Sequence, residues 1–277
     1  MKGRLFQKIM LDDIEVPGMP DIAVKVLSLL EDEYCSMRKL EAVIFEDPSL
    51  TTAILKVANA PFYKTGKSIN TLPEAIMAIG LHNLLALVSI ISLTNQLSGK
   101  HFDTALMRHA MAVSSAAALL AQEGRGVKKE EALVAGLLHD IGKTILSCNA
   151  PEQYTVIRDR SVKEKRPFIE IEDEVLGFNH CTIGSVLAKK WKFPALYEHI
   201  IRTHHGESVK SPAGPEQVLS CEERLCYVVR IADTLTLAAG IGVGEPSEKR
   251  LGDLLRVLGI DAETYIGIKR KVAAAGF

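Results

Sequence analysis

The chain has 277 residues, 47% of them hydrophobic, enough for one large unit or two small ones around a sizeable core. Its 33 lysines and arginines face 34 acidic residues, a balance that supplies no global field toward nucleic acid or an anionic bilayer, so partners must be recognised locally. The five scattered cysteines and the absence of a basic-then-apolar leader predict a cytoplasmic protein with reduced thiols, and the longest apolar run, residues 84–93, is far shorter than the roughly 18 residues of a membrane span.

Aromatic residues are only 5% of the chain, and the apolar residues are Leu, Ile, Val and Ala in long stretches, so the expected fold class is all-α. Residues 21–31 place Ile22, Val26, Leu29 and Leu30 on one helical face, with Asp21 as the expected N-cap and Pro17 and Pro20 keeping the preceding segment extended. Asp47-Pro48 starts a helix that runs to about Asn59, Thr71 caps a short helix ending at Gly80, and a longer apolar helix follows. The polar stretch 95–103 marks the expected boundary between an N-terminal helical subdomain, residues 1–99, and a second helical part, residues 100–277. Later helices are expected over about 104–123, 129–148, 151–165, 180–191, 195–205 and 222–239, with two more near the C-terminus. Residues 206–217 read as a long loop rich in Gly, Pro and Ser.

Most of the polar chemistry falls after residue 105. Five of the eight histidines, His109, His139, His180, His204 and His205, lie on segments that helices can bring to one place, together with Asp140 and Asp233. Neighbouring residues on a helix diverge by about 100°, so His139 and Asp140 can share an ion only off the edge between their two directions, with other helices adding ligands. His109 in "LMRHAMAV" and Asp233 in "VVRIADTLTL" stand among apolar residues, where a polar side chain is costly unless it is hydrogen-bonded or coordinates a metal. Singly, each reads as a satisfied core residue; together they point to a shared site. Lys143 lies four residues after His139 and three after Asp140, on the same helical face, where it can meet a phosphate oxygen or simply be solvated at a helix end.

Other polar features carry less. Cys221 and Cys226 lack a second pair for a zinc knuckle and are expected to be buried on a helix. Residues 159–167 mix charges, as on a solvated face rather than a nucleic-acid footprint. Trp191 reads as helix-end packing, Glu46-Asp47-Pro48 as capping, His82 as a surface or capping residue, His101 as part of the linker, and His199 as lying off the face of His204.

His109, His139-Asp140 within "LLHDIGK" and Asp233 in "IAD" resemble the H…HD…D ligand set of the HD superfamily of metal-dependent phosphohydrolases. "LGFNHCTIGSVLAKKWKFP", with His180, and "RTHHGES", with His204 and His205, are similar to the further histidines of its two-metal HD-GYP branch. The stretches "VPGMPDIAVKVLSLLED", "EDPSLTTAILKVANAPFY" and "INTLPEAIMAIGLHNLLALV" resemble the N-terminal landmarks of the HDOD family, the HD-related output domain of bacterial signalling proteins. The resemblance implies an N-terminal helical subdomain packed on an HD-like helical bundle. It also implies one ion held by His109, His139, Asp140 and Asp233, and a second held by Asp140 as a bridge with His180 and His204, His205 lying beside it.

These implied ligands are all nitrogen and oxygen, a set that suits one or two divalent ions of Fe, Mn, Ni or Zn. Two such ions outweigh the two carboxylates and would draw in a phosphate or hydroxide, with Asp140 and Lys143 as catalytic residues of an in-line displacement. HDOD domains commonly lack a full ligand set and act as regulatory modules, and no Gly-Tyr-Pro signature follows His205 here. Two functions are therefore expected. The first is a signalling module that binds other signalling proteins and a phosphate-containing ligand, with no nucleic-acid or membrane partner. The second is a metal-dependent phosphohydrolase or phosphodiesterase acting on a nucleotide or phosphoester.

Overall fold

Caps and prolines divide the chain into helices. The computed structural model describes residues 10–59, 68–97, 103–124, 126–206, 219–246 and 251–275, and among these it contains helices and no strand. After a short 3-10 turn (Leu11–Asp13), α1 (Asp21–Leu30) starts with Asp21 as its first residue, the cap position falling to Pro20 rather than to Asp21 as expected. Ser36 caps α2 (Met37–Ile44) by accepting from Lys39 N. Asp47 caps α3 (Pro48–Ala58) by accepting from Ser49 N and Leu50 N, while its next residue supplies the preset φ of a first helical turn. Thr71 and Glu74 form a reciprocal capping box on α4 (Leu72–Ile79), and Gly80, at φ +90°, turns the chain directly into α5 (Leu81–Leu97). Helices α1 to α4 each bury one apolar face, whereas α5 is enclosed from Asn83 to Leu93.

The second half is arranged around α6 (Thr104–Glu123), capped by Asp103. In length and hydropathy α6 matches a membrane span, yet it is 72% buried among other helices of the same chain. It packs on α7 (Lys129–Leu138) so closely that a Cβ on Gly136 would lie 2.7 Å from Ser114 Cα, and Ser114 Oγ donates to Leu133 O at 2.7 Å across the same contact. The single helix expected over 129–148 is two: α7 ends at Leu138 and α8 (Ile141–Asn149) restarts beyond Asp140, whose φ −100° and ψ 17° leave the helical path. There follow α9 (Pro151–Glu164), α10 (Phe168–Leu176), which was not foreseen, α11 (His180–Lys190), α12 (Ala195–Thr203), α13 (Cys221–Ala238), α14 (Leu251–Leu258) and α15 (Ala262–Ala274). Helices α7, α13 and α15 surround α6, and α8, α11 and α12 pack in series against them.

A single apolar core runs from Val26 through Leu87, Ile145 and Ile231 to Val272 and joins both halves. Tyr197 OH donates to Asn83 Oδ1 across the junction. The segment before α1 is bound to the second half: Glu15 N donates to Asn149 Oδ1 at 2.9 Å, Lys190 Nζ to Val16 O at 2.7 Å and Trp191 Nε1 to Pro17 O at 3.0 Å. Trp191 is fully buried at the end of α11, the packing role expected of it. All five thiols are free; Cys226 is buried on α13, but Cys221, at its first turn, is exposed, contrary to expectation. Arg160 and Arg166 form an exposed ion-pair network with Glu164, Glu170 and Glu174, the solvated face foreseen for 159–167. The loop expected at 206–217 lies beyond Gly206 outside the described residues, as do His101, most of the 95–103 boundary and the side chain of His82.

Candidate metal centre

Six helices bring the predicted residues together. His109 projects from the second turn of α6 and Asp233 from α13. His139 and Asp140 form the break between α7 and α8, and that bend resolves the divergence of neighbouring helical side chains by letting both turn inward. His180 is the first residue of α11, behind the N-cap Asn179, and His204 ends α12. The registers of α8 and α11 are set by two glycines: a Cβ on Gly142 would overlap the His180 carbonyl oxygen and lie 2.9 Å from Gly184 N.

The Nδ1 of each of the four histidines is engaged outward. That of His109 meets Ile241 O at 3.0 Å, that of His139 meets Gly136 O at 2.8 Å, and that of His204 meets Ile201 O at 3.0 Å. His180 Nδ1 meets the carboxylate of Glu172, which also accepts from His180 N at 3.2 Å. A carbonyl oxygen can only accept, so Nδ1 donates in the first three and Nε2 is the nitrogen turned to the interior. Gly242, at φ +124°, is required behind His109, because a Cβ there would lie 2.5 Å from its Nδ1.

The two oxygens of Asp140 face different neighbours. Oδ2 lies 3.3 Å from His139 Nε2 and 3.6 Å from His109 Nε2, and Asp233 Oδ1 completes this side at 3.1 Å from His109 Nε2 and 3.8 Å from His139 Nε2. Oδ1 lies 3.2 Å from His180 Nε2 and 3.5 Å from His204 Nε2, which are 3.4 Å apart. Bonds of about 2.0–2.1 Å from nitrogen or oxygen to a common ion, at tetrahedral angles, place donors about 3.4 Å apart. Both sides of Asp140 therefore have the spacing of ligands around one ion each.

These six side chains are between 0% and 5% exposed, and His109 Nε2, His139 Nε2, Asp140 Oδ1 and Asp233 Oδ1 make no hydrogen bond. Buried polar atoms without partners are uncommon, and four of them converging is the pattern of a cation site. His205 stacks 4.2 Å from the His204 ring with its own Nε2 unpartnered, close enough to join Asp140, His180 and His204 as a donor.

The electrostatics differ from one histidine to the next. Burial brings His139 below the usual imidazole range, against the pull of Asp140, and burial followed by the charges of His204 and His180 does the same to His205, so both favour the neutral form that binds a cation. Burial opposes ionisation of Asp140, but His139, Lys143 and His180 together hold it well below the ordinary carboxylate range. Asp233 moves the same way, burial being outweighed by the pull of the adjacent His109 and His139 imidazoles. Burial lowers His180 and His204, yet Glu172 carries the first well above its usual range and Cys181 with Asp140 carries the second to about 9. Lys143 Nζ donates to Asp140 Oδ2 at 2.6 Å and lies 5.1 Å over the Phe168 ring; burial disfavours its charge, but Asp140, Asp233 and Glu172 keep it an ammonium. A cavity of about 30 Å³, bounded by His204, His205, Arg230, Asp233, Thr234, Leu251 and Leu254, adjoins the cluster and has room for a water.

Two residues of this site were not singled out in the sequence. Glu172 holds His180 and is fully buried; its place beside Phe168, Ile171 and Leu176 on the apolar face of α10 is the signal that marks it. Cys181 Sγ lies 3.6 Å from His180 Nε2, and although burial raises this thiol, His180 and His204 bring it to about 6.

The helical bundle and its inward-facing His/Asp cluster define a protein of the HD type. The family model for the HDOD domain matches residues 16–207, and the chain belongs to that family. Its fold is that of an HDOD domain protein with unknown function from Geobacter sulfurreducens, with TM-score 0.66, 22% identity and coverage of 94% of this chain and 93% of the other. A candidate signal transduction protein of Marinobacter aquaeolei aligns with TM-score 0.69 at 20% identity, over 97% of this chain and 59% of the other. Ribonuclease Y of Lactobacillus acidophilus is 26% identical over 225 residues, 79% of this chain and 32% of the relative. The chain spans 40% or less of the length of the curated relatives it matches.

Proposed function

We propose that this HDOD protein is a signalling module that holds two divalent transition-metal ions and binds a phosphate-containing ligand at them. The observation that carries the reading is the shared orientation of His109, His139, His180 and His204, each tied outward through Nδ1 and presenting Nε2 to one of the two oxygens of Asp140. His109, His139, Asp140 and Asp233 would hold one ion; Asp140, His180 and His204, with His205 beside them, would hold the other. The nitrogen and oxygen donors suit Fe, Mn, Ni or Zn. Two divalent ions and the Lys143 ammonium exceed the charge of two carboxylates, and this surplus is what a phosphate would meet. Binding there would alter the helices that carry the ligands, whose surfaces partner proteins read. The five free thiols fit a reducing, cytoplasmic setting. Elemental analysis of the purified protein tests the centre: stoichiometric transition metal is expected, with most of it lost in His139→Ala. Its absence from protein purified with and without added Fe, Mn, Ni and Zn refutes the reading.

Phosphoester hydrolysis is the second reading, favoured by Lys143 and by the likeness to a relative named as a ribonuclease. When bound, paired ions activate water and polarise a phosphoryl group. Here Asp140 would hold both ion positions in register, Glu172 would fix the ring of His180, and Lys143 would turn from Asp140 toward a phosphoryl oxygen. Burial would keep bulk water from the reacting group. Turnover of bis-p-nitrophenyl phosphate by reduced, Mn- or Fe-supplemented protein supports hydrolysis; inactivity of metal-loaded protein leaves the binding role alone.

A further inference from the structure

A larger cavity lies away from the His/Asp cluster, between α1, α2 and α5 on one side and the corner joining α11 to α12 on the other. It holds about 440 Å³, within the range of sites for small organic ligands. Its walls are apolar: Leu27 and Leu30 of α1, Leu40 of α2, Leu81 and Leu85 of α5, and Pro194. Two charged residues stand on it from opposite sides, Glu31 at the end of α1 and Lys192 beyond α11, and neither side chain makes a hydrogen bond or ion pair among the described residues. The position is remote from the metal centre: α11 runs from His180 to Lys190, which sets its two ends about 15 Å apart.

Lys192 is held in a costly conformation. It takes the left-handed position after α11, at φ +52°, in a turn where Lys192 N donates to Lys189 O and Phe193 N to Ala188 O. Glycine occupies such a position without strain, and a lysine does not. Trp191 and Phe193 are buried on either side, their rings 6.0 Å apart, and leave the lysine between them exposed. A strained, exposed residue at the wall of a cavity points to a use for its side chain. We propose that this cavity binds a short apolar peptide with free ends, its ammonium on Glu31, its carboxylate on Lys192 and its side chains against the leucines. Because Glu31 and Lys192 do not pair with each other, the separated ends of a peptide suit them better than the two charges of a free amino acid, which sit on one carbon. The site is independent of the metal reading.

The test is titration of the full chain with leucyl-phenylalanine, followed by calorimetry and by the fluorescence of Trp191, the chain's one tryptophan, which adjoins Lys192. Saturable binding is expected. It should be at least about tenfold weaker for the N-acetyl peptide, for the peptide amide and for free phenylalanine, the factor that one lost hydrogen bond to a charged group accounts for. Glu31→Gln should remove the discrimination against the N-acetyl form, and Lys192→Gln that against the amide. Lys192→Gly should bind as Lys192→Gln does while melting no lower than the wild type, because glycine relieves the left-handed backbone. Leu81→Trp, at an exposed position on the cavity wall, should block binding in calorimetry with helicity unchanged in circular dichroism. Wild type that binds no peptide at millimolar concentration overturns the proposal. So does equal binding of decanoate or of the doubly blocked peptide, which would mark an apolar surface that ignores free ends. Undiminished binding by Leu81→Trp, or discrimination that survives in both Glu31→Gln and Lys192→Gln, overturns the location.

Discussion

Replacing Gly142 with Ala tests whether helix spacing sets the centre. The new Cβ would lie 2.7 Å from the His180 carbonyl carbon and 2.9 Å from Gly184 N, and would overlap the His180 carbonyl oxygen, all backbone atoms that cannot rotate away. The carbonyl carbon must retreat by about 0.7 Å to reach the 3.4 Å of an ordinary contact, and the oxygen by more. Overpacking of this kind costs about 3 kcal/mol at the upper end of the usual range. For a chain of this size that lowers Tm by about 6–12 °C. If His180 moves with its backbone, its 3.2 Å separation from Asp140 Oδ1 widens toward about 3.9 Å. With bonds of about 2.1 Å, the angle at a shared ion then opens from near tetrahedral to about 140°. The second ion should therefore bind about 10–100-fold more weakly while the first is retained. Calorimetric melting and metal titration read the two effects. Wild-type Tm together with wild-type loading of both ions in Gly142→Ala would refute the reasoning.

Glu172→Gln keeps the shape at His180 Nδ1 but removes the charge, and should weaken metal binding about 10-fold with helicity unchanged, as seen by titration and circular dichroism. Asp47→Ala removes the acceptor for Ser49 N and Leu50 N and should destabilise the fold by about 1 kcal/mol in denaturant titration, without affecting metal content. Metal loading should strengthen as pH rises toward 9, because an ion displaces the proton that His204 holds up to about 9; zinc titrations at pH 6.5 and 8.5 should show the tighter binding at the higher value. Glu174, exposed between Arg160 and Arg166, is held down to about 2, so its stabilising effect should be present above pH 4.5 and fade as pH falls toward 2. Melts in low and high salt check that last effect, which screening should largely remove.

Much of the first half was legible because its signals are local. Thr71 with Glu74, and Asp47 with Pro48, are capping patterns written within four residues, and the helices they start fall where expected. The converging histidines and aspartates were visible as polar residues in apolar helices. The break at His139-Asp140 was not, since it interrupts an apolar pattern that runs on unbroken, and Asp140, though it takes the N-cap position of α8, turns its side chain to the centre and makes no capping hydrogen bond. Helix α10 was passed over although Phe168, Ile171 and Leu176 repeat at helical spacing, and with it went Glu172, whose link to His180 spans two elements. Cys181 carries no local signal, because its contact with His204 depends on the end of α12 arriving beside the start of α11.

The ties that Glu15, Val16 and Pro17 make to Asn149, Lys190 and Trp191 bear on any dissection of the chain. Residues that precede α1 cover the indole at the end of α11, so a fragment cut near residue 99 takes its neighbour's covering with it. Two such pieces would expose apolar surface on both sides of the cut, and regain native packing only by reassociating.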